Sequence, residues 1–178
     1  YQVKNFKNSK ISKKIFRNQN INKDIFNHNM LSLNSVFIKR EIFEKNQFSN
    51  NRSISGTEDW ELWIRLLKKY NIYSSSIITS QINNNLERSV SKNNFFELEK
   101  RVKILINIFK NKKNHSLTNN ELNRIKSELY MYLALFSSTD ISRNKLDTLK
   151  LMLYSIKLYN FKIFTLRFFA IIKKLILK

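Results

Sequence analysis

One glycine serves all 178 residues of this chain, and there is no proline. A chain with so little punctuation cannot build a glycine-rich phosphate loop, and its turns must be made by other residues. The single glycine, Gly56, stands in SGTEDWELWIRLLKKY, residues 55–70, a window that also holds both tryptophans. Thr57 suits a helix N-cap, and Glu58, Asp59 and Glu61 fall in the first turn. Lys68 and Lys69 close the last turn, so both ends complement the helix dipole. Trp60, Trp63, Ile64 and Leu67 recur at i, i+3, i+4 and i+7 and form one apolar stripe. Acids in a first turn stabilise a helix by about 0.3–1 kcal/mol each, so the pair Glu58–Asp59 needs no chemistry to explain it on spacing alone.

The flanking segments divide the chain. Residues 1–27 are polar, rich in Asn and Lys and without a clear period, which predicts loop with a short helix near Lys23 to His28. The run Ser35-Val36-Phe37-Ile38 is short and β-prone and predicts a buried strand, followed by a helical turn with Ile42 and Phe43 inward. NIYSSSIITSQI after the central helix alternates loosely and predicts one or two strands. From Asn93 onward the pattern is helical throughout, with four candidates opening at Phe95, Leu117, Ile141 and Phe161. Thr118 and Glu121 are spaced as a capping box. The fold class expected is α+β, predominantly α, with residues 1–95 as a mixed segment and 96–178 as a helical extension.

Composition narrows the chemistry. There is no cysteine, which excludes disulfides, thiol nucleophiles and Cys-ligated metals. His28 and His115 are far apart and have no ligand spacing. The formal net charge of +20 implies an anionic partner or a compositional bias toward Lys and Asn. Residues 141–178 hold nine Lys or Arg against the single acid Asp147. In the last helix, Lys162, Arg167, Lys173, Lys174 and Lys178 fall on one side of the wheel. Phe161, Phe164, Phe168, Phe169, Ile171, Ile172 and Leu175 fall on the other. Such a helix suits either the interface of an anionic membrane or packing on its neighbours, and is a poor transmembrane span.

Taken as strings, SVFIKREIF and EDWELWIRL closely resemble the second half of the catalytic domain of family 2 glycosyltransferases. In that family a Ser-Val-x-Ile-Arg-Arg-x-x-Phe segment precedes a Glu-Asp-Trp-Asp/Glu-Leu-Trp-x-Arg helix at a similar distance. The resemblance covers about residues 20–92, and the Glu-Asp-Trp helix is its most specific part. It implies a GT-A fold and inverting transfer of a sugar from a nucleotide-sugar donor to the hydroxyl of a glycan or lipid-linked acceptor. The expected setting is surface polysaccharide assembly at the cytoplasmic face of the cell membrane.

On this resemblance Asp59 is the general base and Glu58 an acceptor-site or orienting residue. Gly56 allows a close approach to the backbone, and Trp60 and Trp63 floor the acceptor pocket. The helix N-terminus is expected to keep Asp59 ionised. Arg65 either pairs with Glu61 or reaches the donor phosphates, the pair being preferred. Arg88, followed by Ser89, matches an Arg-Ser loop variant that clamps the donor diphosphate. The histidine that some relatives carry there is replaced by asparagines, Asn83 to Asn85. The resemblance also implies a divalent metal, Mg or Mn, held by Asp-x-Asp, and no Asp-x-Asp occurs in this chain. The expectation is therefore a segment lacking its donor-binding half. The competing class is a non-catalytic basic helical module on an anionic membrane or nucleic acid. The richest aromatic cluster lies beside acids, which argues against nucleic acid.

Overall fold

The computed structural model describes residues 2–5, 10–13, 21–75, 77, 81–84, 94–111, 115–140 and 142–177. The chain divides into two compact units, Tyr1–Ile25 with Asn29–Asn93, and Phe26–His28 with Asn94–Lys178. Helices predominate among the described residues.

The first unit carries three four-residue strands, β1 (Gln2–Asn5), β2 (Lys10–Lys13) and β3 (Gln81–Asn84), in the order β2-β1-β3. β1 pairs antiparallel with β2 and parallel with β3, Gln2 lying against Gln81. Two of these strands lie where the sequence predicts loop. Each is too short to display a period, and the β1–β3 pairing joins segments far apart in the chain. Helices α1 (Ile21–Asp24), α2 (Arg40–Lys45) and α3 (Glu58–Leu67) complete the unit.

The buried strand expected at Ser35–Ile38 is absent. Leu33–Ser35 form a 3-10 turn, Val36 is extended, and Phe37 is 81% exposed. An extended segment becomes a strand only when another strand takes its hydrogen bonds, and none among the described residues does. Residues 71–75 likewise join no strand.

The core of this unit is α3 packed on the chain before it. Trp60, Leu62, Trp63, Ile64 and Leu66 are buried with Ile21, Ile25, Leu31 and Ile54. Each such side chain contributes about 1.5–3 kcal/mol by leaving water. Trp60 Nε1 donates to the Ile25 carbonyl at 2.8 Å, and Asn22 exchanges two hydrogen bonds with the Ile72 backbone at 2.9 and 3.3 Å. Arg65 grips Glu61 with two nitrogens, at 2.9 and 3.1 Å, and donates to the Gln47 carbonyl at 2.8 Å. This is the intrahelical pairing preferred from the sequence.

In the second unit the described residues from Asn94 onward form helices and turns only. These are α4 (Phe95–Lys110), α5 (Asn119–Thr139), α6 (Lys145–Leu158) and α7 (Leu166–Leu177). Their starts are chemically marked. Asn94 accepts from the Glu97 N–H, Asn144 accepts from the Leu146 N–H, and Thr118 with Glu121 forms the full capping box.

The fourth predicted helix begins later than its pattern suggests. Residues Asn160–Phe164 are a 3-10 turn, and the α-helix starts only after Thr165, whose hydroxyl accepts from the Phe168 N–H at 3.3 Å. α5 packs on α4, α6 and α7, and Met131, Ala134, Met152 and Ile171 form a buried cluster among α5, α6 and α7. Small hydroxyl residues let α5 and α6 approach closely. Ser127 and Ser155 each donate to the other's carbonyl, at 2.7 and 2.6 Å, and Ser137 meets Thr148 at 2.7 Å.

A buried charge cluster ties α7 and the 3-10 turn to α5. Lys162 Nζ lies 2.6 Å from Glu128 Oε2 and donates to the Asn27 carbonyl at 2.9 Å, while Arg167 reaches the other Glu128 oxygen. Burial pushes the Lys162 ammonium below its ordinary value, against the pull of Glu128 upward. Lys162 is thus an internal partner, and Arg167, though 39% exposed, is held by Glu128 rather than standing unpaired on a basic side. Removing one partner of a buried pair strands the other charge. Glu128→Ala is therefore expected to cost about 3–5 kcal/mol in urea denaturation. Lys162→Met should cost clearly less, because Glu128 keeps Arg167.

Candidate functional site

The start of α3 is built by the turn before it. Gly56 has φ 87°, a left-handed conformation that a Cβ would strain. The turn that follows puts Thr57 at the N-cap position, but its hydroxyl donates back to the Ile54 carbonyl at 2.7 Å and does not cap the helix. Asp59 does that work instead. Its Oδ1 accepts from the Trp60 N–H at 2.7 Å and from Asn29 Nδ2 at 3.0 Å.

Glu58 and Asp59 face a cavity of about 630 Å³, a size that suits a small-molecule ligand. Gly56 and Ser55 form its edge next to the helix. The rest of the lining comes from Leu33 and the segment Phe48 to Arg52. Amides and hydroxyls of Ser49, Asn50 and Asn51 supply hydrogen-bonding groups, and Leu33 and Phe48 supply apolar surface. Glu58 Oε2 is shielded and meets no hydrogen-bond donor among the described residues.

Asp59 departs from the electrostatic expectation. Burial pushes its carboxyl above the ordinary aspartate value. The hydrogen bonds from Trp60 and Asn29 pull it down, while the neighbouring Glu58 charge raises it further. The helix N-terminus does not outweigh the lost solvation.

Trp60 and Trp63 do not line this cavity. Both are core side chains, 3% and 1% exposed, so they stand behind the site rather than on its floor. Trp63 touches the cavity indirectly, through an edge contact with Phe48 at 6.4 Å between ring centres; Phe48 in turn meets Phe43 at 5.7 Å. Arg88 lies outside the described residues, as does its neighbour Ser89.

The residues that sequence reasoning passed over are Asn29 and the segment Phe48 to Arg52. Their sequence signal is the polar run QFSNNRS just before the glycine, in which Asn51 accepts from the Ser53 N–H and starts a 3-10 turn. The divalent metal implied by the resemblance finds no ligand set here. No group of three or more His, Cys, Asp or Glu side chains comes together among the described residues. No helix among the described residues is long and apolar enough to cross a membrane.

The raised carboxyl value has a stability consequence with a fixed sign. A carboxyl whose folded value exceeds its unfolded value favours the fold when protonated, at a pH below the unfolded value. It loses that contribution as the pH rises through the folded value. Asp59→Asn carries no charge to desolvate and can still accept from Asn29. The variant should therefore melt higher than the wild type near about pH 7, with the difference shrinking toward about pH 4. Thermal melts across that range measure it; a variant that melts lower at neutral pH would contradict the burial of a charged Asp59.

Comparison with models of known protein families, with curated protein sequences and with solved structures found no match.

Proposed function

We propose that this chain is the acceptor-side part of an inverting glycosyltransferase of the family 2 type. It would work in the cytoplasm and move a sugar from a nucleotide-sugar donor to the hydroxyl of a glycan or lipid-linked acceptor. The observation that supports this most is the setting of Asp59. Its Oδ1 is held by Asn29 and by the Trp60 N–H. A carboxylate held in place by such donors on the wall of a cavity suits a general base.

In the proposed reaction the acceptor oxygen attacks the anomeric carbon from the face opposite the leaving nucleotide. The bond to the diphosphate breaks, and the hydroxyl proton passes to Asp59 Oδ2. Burial makes Asp59 a better proton acceptor than a solvated aspartate, because it raises the affinity for the proton at the moment of transfer. Phe48 and Leu33 suit the apolar face of a pyranose ring, and Asn50, Asn51 and Glu58 suit its hydroxyls. Apart from Arg88, the groups that bind the donor and its diphosphate belong, on this proposal, to residues outside this chain.

The experiment is turnover at saturating donor and acceptor in the polypeptide that joins this chain to a donor-binding half. Asp59→Asn keeps the size and the hydrogen bond from Asn29 but cannot take a proton. Its turnover should fall by about 10²–10⁴-fold, the usual contribution of a positioned base, and Glu58→Gln should cost less. Turnover of Asp59→Asn within about threefold of wild type would leave the acidic pair as a helix start alone.

A further inference from the structure

The sides of α7 are not those that its sequence wheel assigns. Ile171 is fully buried, and Phe168, Ile172 and Leu175 pack with it on α5 and α6. The outward side is also apolar. Leu166, Phe169, Lys173 and Ile176 recur at i, i+3, i+7 and i+10, and Leu177 lies beside them. Leu166 is 89% exposed, and Ile176 and Leu177 are each at least 75% exposed.

The 3-10 turn before α7 extends this side. Phe161 and Phe164 stand three residues apart, the spacing at which a 3-10 turn stacks its side chains, and both are mostly exposed. Six large apolar side chains within 17 residues therefore face outward from the second unit. A helix that is apolar all round is ordinarily covered on all sides.

We propose that the outward face of α7 and the turn before it dock on an anionic lipid bilayer. Two observations choose this occupant over a second copy of the chain. Residues 148–178 contain seven Lys or Arg and no acid, and five of these remain besides Lys162 and Arg167, which Glu128 holds. A two-fold dimer through this face would bring Lys173 and its neighbour Lys174 against like charges, which association avoids. A bilayer takes the apolar side chains into its interface, and Lys173 and Lys174 reach its phosphates. These lysines form no ion pair with an acid among the described residues. At 12 residues α7 is about 18 Å long, against about 30 Å of hydrocarbon, so it lies along the surface. The inference is independent of the transferase proposal.

The test is flotation of the whole chain with vesicles of phosphatidylcholine, alone or with about one third phosphatidylglycerol. Binding to the mixed vesicles should be at least about tenfold stronger, since each basic residue at such a surface contributes about fivefold. The variant Phe164→Ser/Leu166→Ser/Phe169→Ser changes only outward side chains. It should bind about tenfold or more weakly with an unchanged melting curve. Lys173→Glu/Lys174→Glu should lose most of the preference for anionic lipid. Serine-variant binding equal to wild type, or no wild-type binding to anionic vesicles, would overturn the proposal. So would a wild-type dimer that the serine variant converts to monomer.

Discussion

The indole of Trp60 donates to the Ile25 carbonyl inside the first unit, and the direction of α3 follows from that bond. Of the two buried indoles of α3, that of Trp60 is the one whose N–H has an acceptor; the Trp63 N–H meets none among the described residues. The bond pins the rotation of the helix about its own axis. With Trp60 turned inward, the preceding residues Glu58 and Asp59 turn toward the cavity, each about 100° further round the helix. The same bond holds the end of the Ile21–Ile25 segment against α3, four residues before Asn29, whose amide reaches Asp59. One core hydrogen bond thus sets the two partners of the candidate site in register.

The carboxyls placed this way are poorly solvated, and the surrounding core offsets the cost. Burial outweighs the hydrogen bonds at Asp59, and Glu58 keeps a shielded oxygen without a donor among the described residues. Behind them Trp60, Leu62, Trp63 and Ile64 are nearly fully buried, which contributes several kcal/mol in total. A helix start needs only an exposed acid in its first turn to gain from the dipole. Half-burying that acid loses part of the gain, a pattern found where a carboxyl is kept ready to take a proton. The two tryptophans act on the site from behind: Trp60 sets the helix rotation, and Trp63 backs Phe48 on the cavity wall.

Local signals in the sequence carried the helices well. The spacing of Trp60, Trp63 and Ile64 gave the buried side of α3, and Thr118 with Glu121 gave the start of α5. What escaped was nonlocal. β1 and β2 have one apolar residue each, and their sheet depends on a parallel partner at residues 81–84. Ser35–Ile38 has β-prone residues but, among the described residues, no strand to receive them. The wheel of the last helix could not say which apolar residues face α5, because both sides of α7 are apolar. Glu128, on another helix, draws Lys162 and Arg167 inward and decides it. In the site, Asp59, Glu58 and Gly56 were legible from one window. Asn29 and Phe48–Arg52 were not, since only the fold brings those loops to the start of α3.

On the proposed mechanism Asp59 takes the acceptor's proton from its half-buried position. The most direct measurement is the pH dependence of kcat/KM for the acceptor in the polypeptide that joins this chain to a donor-binding half. The account predicts an acid limb whose midpoint lies above the ordinary aspartate value of about 3.9 and which is absent from the residual rate of Asp59→Asn. An acid limb that persists unchanged in Asp59→Asn would contradict the claim and assign the proton to another group.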